Sequence, residues 1–363
     1  MIQFVEKSRL ARNVAGTLLR VLGQGLISQE KDPVFLRAHF EGTISRLVQK
    51  QRKTRFGSAH DFARVRSSAD YQRLVPTRNE SQLEDFHDFL HGNTSDPLNQ
   101  KFPTATFAPD KLTRQDALNH ILKFLAGRFS WNLLYSQWVI ASDIYDPRFS
   151  WADFPPWFKF FSRSPGEKVR EDWSGIWTTW ANLQSDALFH LVEQRKKSTA
   201  SRPAVMVVEC HAENLPEALA YRQKMLPLFQ VIPVWSQRPG PVAFLDPETS
   251  QFQFVLAKQL LIEFAPLHGP NKERLALCDF LPEQDYAVIL TAPGGLWACE
   301  TSMTARTSGQ THRFHLLPLS MRHSKIKLPK PLSFTTAPTP FPHHPRTADT
   351  PAKLAETRRH TVS

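Results

Sequence analysis

Between Ala204 and Trp297 the chain passes through short apolar, β-branched segments separated by turn residues, with one interval long enough for a helix. Ala204–Glu209 is a continuous apolar run that ends in a single carboxylate, the pattern of a strand buried on both faces. Asn214–Met225 has helical spacing with Pro216 in its first turn, and Phe229–Val234 is a second buried strand. Strand, helix and strand in that order predict a right-handed parallel crossover, hence an α/β sheet. Further on, Gln251–Leu267 is apolar with little inside it to stop a helix. Tyr286–Thr291 alternates and branches as a strand does, and Ala292-Pro293-Gly294-Gly295 turns the chain back through Leu296-Trp297. A hairpin at the end of an α/β sheet is a natural wall for a ligand crevice.

The first 200 residues follow a helical period instead. Leu10, Val14, Leu18, Leu19, Leu22 and Leu26 form one apolar stripe, with arginine and glutamine elsewhere on the helix. That stripe is expected to pack on its own domain; a basic amphipathic helix can also lie on a membrane. Asp32-Pro33 predicts an N-cap and first turn for a helix through Phe40, Ile44 and Leu47 to Lys50. Arg114–Ala141 is expected to be a long helical region broken near Gly127, with Trp131, Tyr135 and Trp138 at helical spacing, as core or as the wall of an acyl pocket. Phe149–Phe161 interleaves aromatic residues with Lys159 and Pro155-Pro156, and is expected to be a buried irregular connection; stacking on single-stranded nucleic acid is the alternative. Trp173, Trp177 and Trp180 continue on one helical face before a helix over 185–194. After one further strand within 312–331, the Pro- and Thr-rich basic stretch 331–363 predicts a disordered tail.

Charge and cysteine usage narrow the partners less than the pattern narrows the fold. The net charge of +11 permits nucleic acid or anionic lipid as partners. The three cysteines have no CxxC spacing, which suits buried thiols in a reducing compartment. With neither a membrane span nor a signal peptide visible, a cytoplasmic location is expected. Glycine, at 14 residues, limits the loops that can wrap a phosphate closely.

Two stretches resemble a known family. Ile262-Glu263-Phe264-Ala265-Pro266, then Tyr286–Thr291, then Gly295-Leu296-Trp297 is one; Thr54-Arg55-Phe56-Gly57, His60-Asp61-Phe62, Asp70-Tyr71 and Val75-Pro76 is the other. Their order resembles the auxin-responsive-promoter family of acyl-acid amido synthetases, a branch of the adenylate-forming enzymes. The resemblance implies the large N-terminal domain of that fold over residues 1–320, helical through 200 and sheet-rich over 203–310, with the small C-terminal lid missing. It also implies ATP and magnesium as cofactors, a carboxylic acid and an amino acid as ligands, and an acyl-adenylate intermediate. Within the family the 54–76 segment packs helices and does no chemistry, so His60 is expected to be structural.

Where the family handles its nucleotide, the sequence departs from it. The phosphate loop falls on Thr94, Ser95 and Lys101, but Asp96, Pro97 and Leu98 replace small and hydroxyl residues, adding a charge and removing a backbone donor. After the second strand the family has Ser-Glu following an aromatic residue, and here Trp235-Ser236-Gln237 lacks the carboxylate that helps hold magnesium. Beyond Trp297, Met303 stands at the position of the ribose-binding aspartate, and a thioether cannot take its two hydrogen bonds. These departures imply a homologue without ATP use, with no cofactor and no catalytic residue assigned. An active amido ligase and a basic scaffold for nucleic acid or a protein partner are the other two readings.

Overall fold

Nine strands form one mixed sheet in the order β1-β2-β3-β4-β5-β9-β8-β7-β6 among the residues described by the computed structural model. Those residues are 9–79, 81–83, 111–129, 136–142, 154–161, 177, 205–225, 229–237, 239–268, 273–281, 284–293, 295–307 and 314–318. The expected crossover is present: β2 (Val205–Cys210) and β3 (Gln230–Gln237) are parallel and joined through helix α7 (Leu215–Met225). β1 (Trp138–Ser142) extends the parallel part at the edge. The rest is antiparallel: β4 (Gly240–Leu245), β5 (Phe252–Phe254), β9 (Phe314–Pro318), β8 (Leu296–Thr307), β7 (Asp285–Ala292) and β6 (Leu261–Pro266).

Three expectations change. Trp138 is not on a helix. The helix α5 (Lys111–Arg128) stops early and Trp138 opens β1, because Trp138–Ser142 is apolar and β-branched and every one of its residues is buried. The apolar run from Gln251 breaks into β5 and β6, since Phe252 and Phe254 alternate with Gln253 and the Lys258-Gln259 turn separates the two strands. Pro156–Phe161 is the short helix α6 rather than irregular chain, Pro156 fitting a first turn, with Phe154 stacked on Phe158 at 5.0 Å. Trp131, Tyr135, Trp173, Trp180, the helix expected over 185–194 and the stretch 331–363 lie outside the described residues; Trp177 is helical and buried.

Helices α1 (Arg9–Gln29), α2 (Pro33–Gln51), α3 (Arg55–Ala59) and α4 (Ser68–Leu74) precede α5 in the chain. Asp32 caps α2 by accepting from the Val34 amide at 2.9 Å, with Pro33 in the first turn. α1 and α5 cross at Gly23 and Gly127, where a Cβ on Gly23 would lie 2.3 Å from the Gly127 nitrogen. Two missing side chains let the backbones touch. Next to the crossing, Glu30 and His120 form a buried pair at 2.8 Å that ties the end of α1 to α5.

Substituting Gly23 by valine is expected to lower unfolding stability by about 1–3 kcal/mol through overpacking. Gly25→Ala, two residues away with nothing within 4 Å of its Cβ position, is expected to raise stability by roughly 0.5–1 kcal/mol through helix propensity. Denaturant melts of the two variants separate steric cost from loss of glycine as such.

Candidate functional site

The carboxyl ends of β1, β2 and β3 are where an α/β sheet presents side chains to a ligand. The parallel register aligns Ser142, Glu209 and Val234 there, with Cys210 opposite Trp235. Glu209, the one charge in the strand VMVVEC, is fully buried and accepts a hydrogen bond from Arg114 Nη2 at 2.7 Å. Arg114, in the first turns of α5, is itself buried. Gly240 admits that turn: its φ is +138°, and a Cβ there would stand 3.0 Å from Arg114 Cα. The end of the parallel sheet is thus occupied by a guanidinium–carboxylate pair. Such a pair cross-links helix to strand.

Of the positions the sequence nominates for nucleotide handling, Trp235, Ser236, Trp297 and Met303 are fully buried and Gln237 is half-buried. Trp235 and Met303 belong to the main core, whereas Trp297 belongs to a second core beneath α2, α3 and α4. Ser236 Oγ, Trp235 Nε1 and Trp297 Nε1 have no hydrogen-bond partner among the described residues. Thr94, Ser95 and Lys101 lie outside the described residues.

The stretch 54–79 instead interlocks with 261–299. Thr54 caps α3 by accepting from the Gly57 amide at 3.0 Å, and Phe56 stacks on Trp297 at 5.2 Å with Phe62 tilted against the same indole at 4.9 Å. Tyr71 Oη meets Thr291 Oγ1 at 2.8 Å, and that hydroxyl accepts from the Ala298 amide at 2.8 Å. Gln72 Nε2 donates to Glu263 at 3.1 Å and to the Arg274 carbonyl at 2.7 Å; Arg274 pairs with Glu263 at 3.3 Å and donates to the Val75 carbonyl at 2.8 Å. Burial raises the pKa of Glu263, against the opposing pull of Arg274. His60 Nδ1 lies 2.9 Å from the Phe56 carbonyl and Nε2 lies 2.8 Å from Arg78 Nη2, so both ring nitrogens are engaged and burial lowers its pKa. His60 is structural, as expected.

A shallow cleft with about 20 Å³ of enclosed space lies between α2 and strands β5–β6 and is lined by Leu36, Phe40, Leu260, Ile262 and Leu277. His39 forms part of its wall, and its pKa is pushed down to about 4, chiefly by burial and then by His120 and Arg46. Sequence reasoning missed Arg114, Glu209, Arg274 and His39. A lone carboxylate inside each of two apolar strands, Glu209 and Glu263, is the signal that a buried cation must be sought. Among the described residues no group of three metal-ligating side chains occurs, and no helix is long and apolar enough to cross a membrane.

No protein-family model matches the chain, and no curated protein matches it. Among solved structures it is similar to a GH3.15 acyl acid amido synthetase, with 9% identity over 81% of this chain and 69% of that one at a TM-score of 0.48. It is also similar to an open conformation of 2-hydroxyisobutyryl-CoA ligase in complex with 2-HIB-AMP and CoA, with 9% identity over 76% and 67% at a TM-score of 0.48. The GH3.15 enzyme in complex with 2,4-DB gives 10% identity over 85% and 70% at 0.43.

Arg114→Met, which takes the guanidinium away from buried Glu209, is expected to cost about 3–5 kcal/mol, and the double variant Arg114→Met/Glu209→Gln to recover much of it. Urea unfolding of the set measures this. For His39, whose unfolded pKa is 6.5, the unfolded chain binds more protons between pH 6.5 and about 4. Its contribution to stability is therefore complete above pH 6.5 and lost as the pH falls toward 4. His39→Gln is expected to flatten the fall in Tm across that window.

Proposed function

We propose that this chain is a homologue of the acyl-acid amido synthetases, built on the large domain of the adenylate-forming fold, that no longer uses ATP. One observation carries the kinship. The two stretches that resemble the family, 54–76 and 251–297, are the two that lock together through Phe56–Trp297, Tyr71–Thr291 and Gln72–Glu263. Two stretches held in such mutual contact form a scaffold, which is the role the resemblance gives them.

Loss of ATP use is supported by how poorly the described positions suit the nucleotide. Gln237 is neutral where magnesium needs a carboxylate. Met303 lies in the apolar core, and its thioether cannot take ribose hydroxyls. Trp235 and Ser236 are enclosed, and Arg114 with Glu209 fills the end of the neighbouring strand. ATP–magnesium does not fit these residues, and no reaction step is assigned through it.

The test is exchange of labelled pyrophosphate into ATP with a panel of carboxylic acids, alongside calorimetry with ATP–magnesium. No exchange and no heat of binding are expected from the folded protein. Label entering ATP in the presence of any acid would make the chain an active ligase and overturn the proposal.

A further inference from the structure

The second half of α2 ends in cations that the packing of the fold does not use. Gln49–Arg55 reads QKQRKTR. Phe40, Ile44, Leu47 and Gln51 mark the buried side of the helix. At about 100° per residue, Arg46, Gln49, Lys50 and Arg52 fall roughly 90–170° from the middle of that side. Arg52 keeps to the helical path, with φ −54° and ψ −34°. Arg46, Lys50, Arg52 and Lys53 are all exposed. Among the described residues none of the four pairs with a carboxylate: Arg46 donates to Thr43 Oγ1 at 3.0 Å and Lys50 to Gln259 Oε1 at 2.9 Å. The carboxylates of neighbouring elements are engaged elsewhere, Glu41 by the Ser68 hydroxyl at 2.6 Å, Asp61 by Arg64 at 3.1 Å and Asp116 by the Lys258 amide.

The carboxyl end of a helix carries about half a negative charge, which a single cation offsets. Most of the positive charge here therefore has no counterpart within the fold. What else the surface displays selects its partner. Over 45–79 the exposed side chains are cations or small or polar groups, with no exposed acid and no exposed large apolar residue. A bilayer surface would need apolar side chains to receive, and none stands among these cations. Phe56, Phe62 and Tyr71 are buried, so unpaired bases find no ring to stack on. A duplex needs neither. It presents one phosphate per about 1.7 Å of its axis, hence about five along the roughly 9 Å of helix from Arg46 to Arg52. Arginine forks match phosphate oxygens in pairs, and lysines add point charge.

We propose that the carboxyl end of α2 is a docking surface for the phosphate backbone of a double-stranded nucleic acid, held by Arg46, Lys50, Arg52 and Lys53. The contact reads charge and spacing and not base sequence. It is independent of ATP use, since none of the four residues belongs to the nucleotide positions.

Fluorescence anisotropy of the full chain with a short labelled DNA duplex, titrated over a range of salt, tests this. Four phosphate contacts are expected to give a slope of log K against log salt of about −4, alike for two unrelated sequences. Lys50→Gln/Lys53→Gln is expected to reduce that slope by about 2 at an unchanged urea midpoint, both side chains being exposed. Arg346→Gln/Lys353→Gln removes the same charge from the stretch 331–363 and is expected to leave the slope as it was. The proposal is overturned by no salt-dependent binding, by an unchanged slope in the α2 variant, or by a slope lost in the 331–363 variant instead. Competition by poly-glutamate as strong as by unlabelled duplex would assign the surface to an acidic protein. Binding to phosphatidylserine vesicles that the α2 variant abolishes, with none to DNA, would assign it to a lipid surface. Either result equally overturns the proposal.

Discussion

Glu263 sets a condition that much of the second core satisfies. A carboxylate fully enclosed within an antiparallel strand is costly unless it is met by a cation and hydrogen-bond donors. Arg274 supplies the cation from the loop that follows β6, and Gln72 supplies a donor from the distant N-terminal helices. Arg274 in turn donates to the Val75 carbonyl and lies over the Tyr71 ring at 5.3 Å. One buried charge thereby fixes the seating of α4 on the sheet. The aromatic stack of Phe56, Phe62 and Trp297 fills the space around it. Polar partners determine the register of this layer, and apolar contact supplies most of its favourable free energy.

The same arrangement recurs at the other end of the sheet with a different outcome. Arg114 and Glu209 form a buried pair where the parallel strands end, the place from which an α/β fold ordinarily addresses a ligand. Near Trp297 the ion pair lies under a helical layer. At Glu209 it ties the first turns of α5 to the end of β2. Gly240, with its positive φ, is the concession in the backbone that lets the first turns of α5 approach so closely.

How much of this was legible in the sequence depends on the range over which each signal acts. The crossover from Val205 to Gln237 and the hairpin at Ala292–Gly295 are written in local patterns of apolar runs and turn residues, and both formed as expected. Trp138 shows where local spacing misleads. Its helical interval from Trp131 is satisfied by chance, and pairing with Val205 across the sheet overrides it. The ion pairs were not legible because Arg114 and Glu209 are far apart in the chain and nothing local marks one as the other's partner. The family resemblance identified the interlocking stretches, but only geometry shows that Thr54, Tyr71 and Gln72 matter through what they touch.

The pairing of Tyr71 with Thr291, 220 positions apart, also bears on how the chain is made. The helices through α4 leave the ribosome long before β6, β7 and β8 exist to receive them. Until then Phe56 and Phe62 have each other and His60 but not the Trp297 indole, Tyr71 lacks the Thr291 hydroxyl, and Gln72 lacks Glu263. β3 to β5 and β7 to β9, by contrast, are consecutive antiparallel neighbours that can pair as they emerge. For α2 to α4 synthesis therefore runs ahead of assembly: they are made early and secured late, and until β6 to β8 emerge that nascent layer is in need of protection from wrong contacts.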